Sequence, residues 1–133
     1  MSLIELIDLP CFADERGSLV AIEPPTSLPF EIKRVYYLHN LNPAMARGFH
    51  SHKNLQQLMI CVSGSCQITL DDGNNRETVE MTKPNQGLWV KARTWREMHN
   101  FSMNCVLLVL ASDYYDPADY ILSYEKFLEQ INE

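Results

Sequence analysis

With 133 residues, 46% of them hydrophobic and 21% charged, the chain has the size and composition of one globular domain that buries a single core. Its formal net charge of -6 argues against wrapping a polyanion such as nucleic acid. Acidic residues stand early, where a secretion signal needs a basic start and an apolar run, and no stretch is long and apolar enough to span a bilayer; a cytoplasmic protein without membrane contact is expected.

In chain order, residues 3–8 read as a first strand, and Asp14-Glu15-Arg16-Gly17-Ser18 supplies a turn before a second at 19–22. Pro24, Pro25 and Pro29 bracket a loop, because proline cannot donate to a central ladder. The β-branched and aromatic run 32–38 is a strand, and 40–46 is a turn into the segment Arg47-Gly48-Phe49-His50-Ser51-His52-Lys53. Residues 58–62 form a buried strand by their continuous apolar character, ended by Ser63-Gly64. Strand 66–70 leads into an Asp-Gly hairpin turn at 71–74, and further strands cover 79–81, 87–90 and 106–111. Close-set turn signals without βαβ alternation predict a single all-β domain over 1–133, an antiparallel sandwich or small barrel. From Asp116 the pattern changes: Asp116 caps, Pro117 opens, and Tyr120, Tyr124, Phe127, Leu128 and Ile131 recur every three or four residues. One C-terminal amphipathic helix, its aromatic stripe packed on the sheet, is expected. Cys11, Cys61, Cys66 and Cys105 lack Cys-x-x-Cys spacing and read as reduced thiols among apolar neighbours.

Alternation along a strand turns His50 and His52 to one side, so two imidazoles share a wall. Such a pair supports general acid/base chemistry or metal ligation, and the motif also occurs as an ordinary polar face. The spacing of His-x-His, a following glycine turn, Pro84-Asn85-Gln86-Gly87 and a distant His99 resembles the cupin pattern. That resemblance implies a jelly-roll barrel in which His50, His52 and His99 converge. Where a metal-binding cupin carries glutamate, this chain has Gln56 and Gln57, neutral amides that compensate no charge, which favours a metal-free pocket.

Five motifs in order resemble the dTDP-sugar 3,4-ketoisomerases, the WxcM-like cupins: Arg34-Val35-Tyr36-Tyr37, residues 47–53, Leu70-Asp71-Asp72-Gly73, Trp95-Arg96-Glu97-Met98-His99-Asn100-Phe101, and residues 110–116. The resemblance covers nearly the whole chain. It implies a cupin jelly roll with a short C-terminal α-helix, a homodimer that exchanges its N-terminal strand, no metal or redox cofactor, and dTDP-4-keto-6-deoxyglucose as substrate, in deoxysugar biosynthesis for surface polysaccharide or glycoconjugates. Carried over residue by residue, it makes His50 and His52 the catalytic pair, with His50 the first choice as base. Tyr37 is the chosen assisting hydroxyl, although sequence does not decide whether Tyr36 or Tyr37 faces the pocket. Arg34, Arg47 and Lys53 are the expected diphosphate partners, and Trp95 an aromatic surface for base or sugar. Glu97 and His99 are expected to orient the pair. Lys91, Arg93 and Arg96 read as solvated basic residues, and Trp89 as core. The alternatives are a metal-dependent, dioxygenase-like cupin using His50, His52 and His99 with Gln56 or Gln57, and a non-catalytic sugar-nucleotide binder.

Overall fold

A computed structural model describes residues 2–24 and 28–133. The strands are β1 (Leu6–Asp8), β2 (Cys11–Asp14), β3 (Gly17–Val20), β4 (Arg34–Leu38), β5 (Arg47–His52), β6 (Gln57–Ser63), β7 (Cys66–Asp71), β8 (Arg76–Met81), β9 (Gln86–Val90), β10 (Trp95–His99), β11 (Val106–Ala111) and β12 (Tyr120–Ile121), followed by helix α1 (Tyr124–Ile131). Two five-stranded sheets, β1-β9-β6-β11-β4 and β12-β5-β10-β7-β8, face each other as a jelly roll, while among the described residues β2 and β3 pair only with one another. Every pairing is antiparallel. Of the expected proline loop, Pro24 and Pro29 are described, and Pro25 lies outside the described residues.

The continuous apolar run of β6 has a structural cause. Met59 and Cys61 enter the core between the sheets, with Ile68, Leu70, Leu88 and Leu107. Leu58 and Ile60 point the other way into a second core, where the N-terminal residues Leu9 and Leu28 cover the sheet and Trp89 packs at the margin. A strand buried on both faces shows no alternation. Cys61, Cys66 and Cys105 are buried as expected, but Cys11 is exposed on β2.

Two elements differ from expectation. Strand β10 lies in a segment read only as a motif, because its mixed apolar and charged residues give no simple alternation. The single helix from Pro117 is interrupted. Asp116 caps only a 3-10 turn at Pro117–Asp119, its side chain accepting from the Ala118 N–H. Tyr120 and Ile121 then pair with His52 and Ser51 of β5, and α1 starts afresh with Ser123 as its cap. Edge pairing outweighs helical period here because β5 otherwise leaves backbone groups unmet. Helix α1 buries Phe127 against Trp95. It also pins β5: Gln130 accepts from the Ser51 hydroxyl at 3.1 Å and donates to the His52 carbonyl at 3.3 Å.

The register of β5 against β10 shifts between Arg96 and Glu97, leaving Phe49 unpaired between His50 and Gly48. Gly48 has φ +95, and a Cβ there would sit 3.0 Å from the Arg96 carbonyl oxygen. This bulge sets the direction in which His50 leaves the strand. Gly48→Ala is therefore expected to destabilise the fold by about 1–3 kcal/mol, seen as a lower urea midpoint at unchanged slope; an unchanged midpoint contradicts the role of the bulge.

Candidate active site

His50 and His52 leave the same face of β5, with ring centroids 4.9 Å apart and planes at 87°. Tyr120, delivered by β12, completes the cluster with its ring 5.0 Å from His50 and 4.4 Å from His52. Each histidine has its Nδ1 committed. His50 Nδ1 lies 3.0 Å from the Gly48 carbonyl oxygen, which can only accept, so Nδ1 carries the proton and Nε2 a free lone pair. His52 Nδ1 lies 3.1 Å from Asp119 Oδ2, and the same carboxylate accepts from the backbone N–H groups of Asn54 and Leu55. His52 Nε2 is buried without a partner among the described residues.

Beneath the pair lies Arg96, 0% exposed. Its Nη1 donates to Gln57 Oε1 at 2.5 Å, and Gln57 Nε2 donates to the Tyr36 hydroxyl at 2.9 Å. With its oxygen receiving that bond, the Tyr36 O–H is free to donate elsewhere. Burial raises the Tyr36 pKa and keeps the phenol protonated. Burial also lowers that of Arg96, to about 10, so the guanidinium remains a cation at neutral pH.

That buried charge bears on the histidines. Burial first, then Arg96, holds His50 down at about 4. Burial, Arg96, His50 and Arg34 hold His52 down at about 2. Both rings are neutral at pH 7, so the Asp119 contact is a hydrogen bond from a neutral imidazole. The consequence for stability follows from linkage. Below pH 6.5 the unfolded chain takes up protons that the folded chain refuses, so stability present above 6.5 is lost as pH falls toward 4. For His50 alone the loss is roughly 2–3 kcal/mol. Urea melts across this range should show the decline as a midpoint that falls between pH 6.5 and 4; an unchanged midpoint would show that the histidines are not depressed.

His50 opens on a pocket of about 320 Å3 whose wall includes Arg34, Tyr36, Arg47, Met98 and Tyr120. Arg34 stacks its guanidinium 5.2 Å above the Tyr36 ring, and its buried Nε has no partner among the described residues. Arg47 is exposed at the rim. On the far side of Arg34 and Tyr120 a smaller cavity of about 110 Å3 reaches His52 and Asp119.

Five expected residues line neither cavity. Tyr37 is 62% exposed on the outer face of β4, because alternation assigns the inner position to Tyr36. Trp95, Glu97 and His99 share the opposite face of β10 from Arg96 and Met98. There the Trp95 indole N–H donates to Glu97 at 2.9 Å, and His99 Nε2 lies 3.0 Å from the same carboxylate. Trp95 packs on α1, and His99 meets Phe49 edge-on. The convergence of His99 with His50 and His52 does not occur. Lys53 is exposed beyond the end of β5, in a cleft beside Arg93 and α1.

The residues missed were Arg96, Asp119 and Tyr120, with Gln57 weighed only as a metal ligand. A signal existed for Arg96: Trp95 and Met98 flank it in a five-residue strand, so it had to share a face with one of them. Tyr120 was absorbed into the helix period, and Asp119, an acidic residue in the first turn of that expected helix, carried no separate signal.

The whole chain compares with known proteins. Residues 2–132 match the family model described as FdtA: WxcM-like, C-terminal. A curated relative from Aneurinibacillus thermoaerophilus, TDP-4-oxo-6-deoxy-alpha-D-glucose-3,4-oxoisomerase, is 48% identical over 127 residues, 96% of this chain and 91% of its own. A 3,4-ketoisomerase from Helicobacter canadensis superposes with TM-score 0.96 at 43% identity over 100% of both chains. The 3,4-ketoisomerase QdtA from Thermoanaerobacterium thermosaccharolyticum, as a histidine-to-asparagine variant in complex with TDP-4-keto-6-deoxyglucose, superposes with TM-score 0.95 at 40% identity over 99% of this chain and 96% of that one. With its jelly roll, its paired histidines and this end-to-end similarity, the chain belongs to the WxcM-like family of sugar-nucleotide 3,4-ketoisomerases.

Proposed function

We propose that this enzyme moves the keto group of dTDP-4-keto-6-deoxyglucose from C4 to C3, with His50 as base and Tyr36 as the assisting hydroxyl. The observation that carries the reading is the committed Nδ1 of His50, which leaves an unprotonated Nε2 facing a pocket with cations at its rim. His50 Nε2 takes the C3 proton, and the electron pair forms the C3–C4 double bond as the C4 oxygen becomes an enediolate oxygen. Tyr36, held by Gln57, donates its proton to that oxygen and recovers one from the C3 hydroxyl. Protonation at C4 closes the cycle with a ketone at C3. Electrons stay within the sugar, so the reaction needs no hydride acceptor. The buried Arg96 acts through space, favouring negative charge on the intermediate.

Arg34 and Arg47 suit the diphosphate, Arg34 because an unpartnered guanidinium N–H awaits an acceptor. The β2–β3 hairpin supports a homodimer. A free two-stranded hairpin is marginal in water, and Phe12 and Leu19 on this one are 65% and 60% exposed, which suits an arm laid against a second copy. Among the described residues no helix is long and apolar enough to cross a membrane, and a cytoplasmic role in deoxysugar assembly for surface glycans fits a nucleotide-linked substrate.

The test is to incubate the enzyme with dTDP-4-keto-6-deoxyglucose in deuterated water and follow the sugar by proton NMR. A 3-keto product carrying deuterium at C4 is expected; an unchanged spectrum with no exchange at C3 refutes the reading. The two tyrosines give a second check. Tyr36→Phe is expected to lower kcat by about 10- to 100-fold, whereas Tyr37→Phe leaves kcat within about twofold; the reverse pattern would restore the role to Tyr37.

A further inference from the structure

At the end of the inter-sheet core away from the histidines, the Sγ atoms of Cys61, Cys66 and Cys105 lie within 4.8 Å of one another. Cys61 follows Gln57 by four residues on β6, and Cys66 precedes Leu70, the β7 partner of Arg96, by four on β7. Roughly 13 Å of strand therefore separates the thiols from the catalytic pocket. Two turns frame the cluster. Gly64 has φ +71, and a Cβ there would fall 2.2 Å from Ser102 Oγ, so only glycine lets the turn between Cys61 and Cys66 lie against the segment that carries Cys105. The Ser65 N–H donates to Ser102 Oγ and the Ser102 N–H to the Ser65 carbonyl, both at 2.9 Å. The Cys-x4-Cys spacing lies within the range that thiolate loops use.

We propose that these three thiols form a binding site for a trivalent, three-coordinate thiophile of the arsenite class. Geometry supports three-coordination. Thiolates bonded to one centre at about 2.3 Å lie within about 4 Å of each other; Cys61 and Cys105 are already at 3.8 Å, and the remaining distances need a contraction smaller than a bond length. No histidine or carboxylate joins the group among the described residues, and the three cysteines are 1%, 1% and 2% exposed. Tetrahedral zinc would lack its fourth ligand.

Charge selects the oxidation state. The thiols belong to an apolar core with Met81, Phe101 and Leu107, where an uncompensated charge costs several kcal/mol. Three thiolates leave a net negative charge on zinc(II) and a larger one on copper(I), and none on a trivalent centre. The exchange with arsenious acid balances without redox: three S–H and three As–OH bonds become three As–S bonds and three waters, and arsenic stays trivalent. Entry requires the two turns to part, so binding should be slow.

The experiment treats the reduced full-length protein with excess sodium arsenite at neutral pH, removes unbound arsenic, and measures arsenic content, intact mass and circular dichroism. Expected are one arsenic per chain, a mass increase of one arsenic less three hydrogens, an unchanged spectrum, and alkylation of Cys11 alone when the product is treated with iodoacetamide in urea. The proposal is overturned if no arsenic is retained, if Cys11 is protected, if binding occurs only with loss of the native spectrum, or if zinc(II) or copper(I) displaces arsenite from an equimolar mixture. Cys66→Ser should lose retention through desalting, and retention in that variant also overturns the site. If the variant fails to fold, the wild-type alkylation pattern decides. None of these readouts depends on isomerase activity.

Discussion

His50→Gln is expected to lower kcat by about 10²- to 10⁴-fold, the usual contribution of a positioned general base, while TDP binds with affinity within a few-fold of the parent. The substitution keeps a hydrogen-bonding side chain of similar reach but removes, from the described pocket wall, the imidazole whose committed nitrogen guarantees a free lone pair on the other. The diphosphate contacts assigned to Arg34 and Arg47 lie elsewhere on that wall, so the damage should fall on kcat rather than on nucleotide affinity. Deuterium exchange at C3 should vanish with turnover, because both require the same proton abstraction. A variant that retains kcat within about tenfold, or that exchanges C3 while failing to form product, would move the base to another residue. Isothermal titration with TDP and the NMR exchange assay separate these outcomes.

What could be read from sequence divides along a physical line. The antiparallel all-β architecture was legible because turn chemistry and apolar runs are local: the Asp-Gly hairpin between β7 and β8 and the doubly buried β6 announce themselves, whereas the jelly-roll topology came from the resemblance to the cupins. His50 and His52 were legible because period-two alternation fixes their shared face. The same alternation, applied to β10, would have divided Trp95, Glu97 and His99 from Arg96 and Met98, but the charged residues concealed the strand. The bulge at Gly48 and Phe49 could not be counted from sequence, since it depends on how β10 runs alongside. Arg96 shows the largest gap between local and tertiary information. An arginine between a tryptophan and a glutamate reads as solvated, yet two carbonyl-type acceptors, Gln57 Oε1 and the Thr94 backbone oxygen, take it into the core. Tyr120 was misassigned for a related reason: helical spacing is visible in one segment, whereas the vacant edge of β5 that captures it is not.

Asp119→Asn should lower kcat by about 10²- to 10³-fold through the tautomer of His52, with KM changed only a few-fold. In the parent, the Asp119 carboxylate accepts from three donors: His52 Nδ1–H and the backbone N–H groups of Asn54 and Leu55. An asparagine has one acceptor oxygen. Asn54 donates to Oδ1 while Leu55 and His52 share Oδ2, so the tautomer swaps in the orientation that keeps the amide oxygen on Asn54 and turns the N–H₂ to His52, where Nδ1 must accept. In that orientation the ring proton moves to Nε2, which is buried without a partner among the described residues and lies close to His50 and Tyr120. A nitrogen that was a lone pair becomes a donor in the space where protons travel, the same logic by which an aspartate-to-asparagine change beside a catalytic histidine costs about 10⁴ in a serine protease. The smaller figure here reflects that His52 assists His50 rather than replacing it. The ¹⁵N shifts of His52 report the tautomer directly, giving a readout that a loss of packing would not move. A swapped tautomer with kcat near the parent value would take His52 out of the proton path and leave His50 and Tyr36 to perform both transfers.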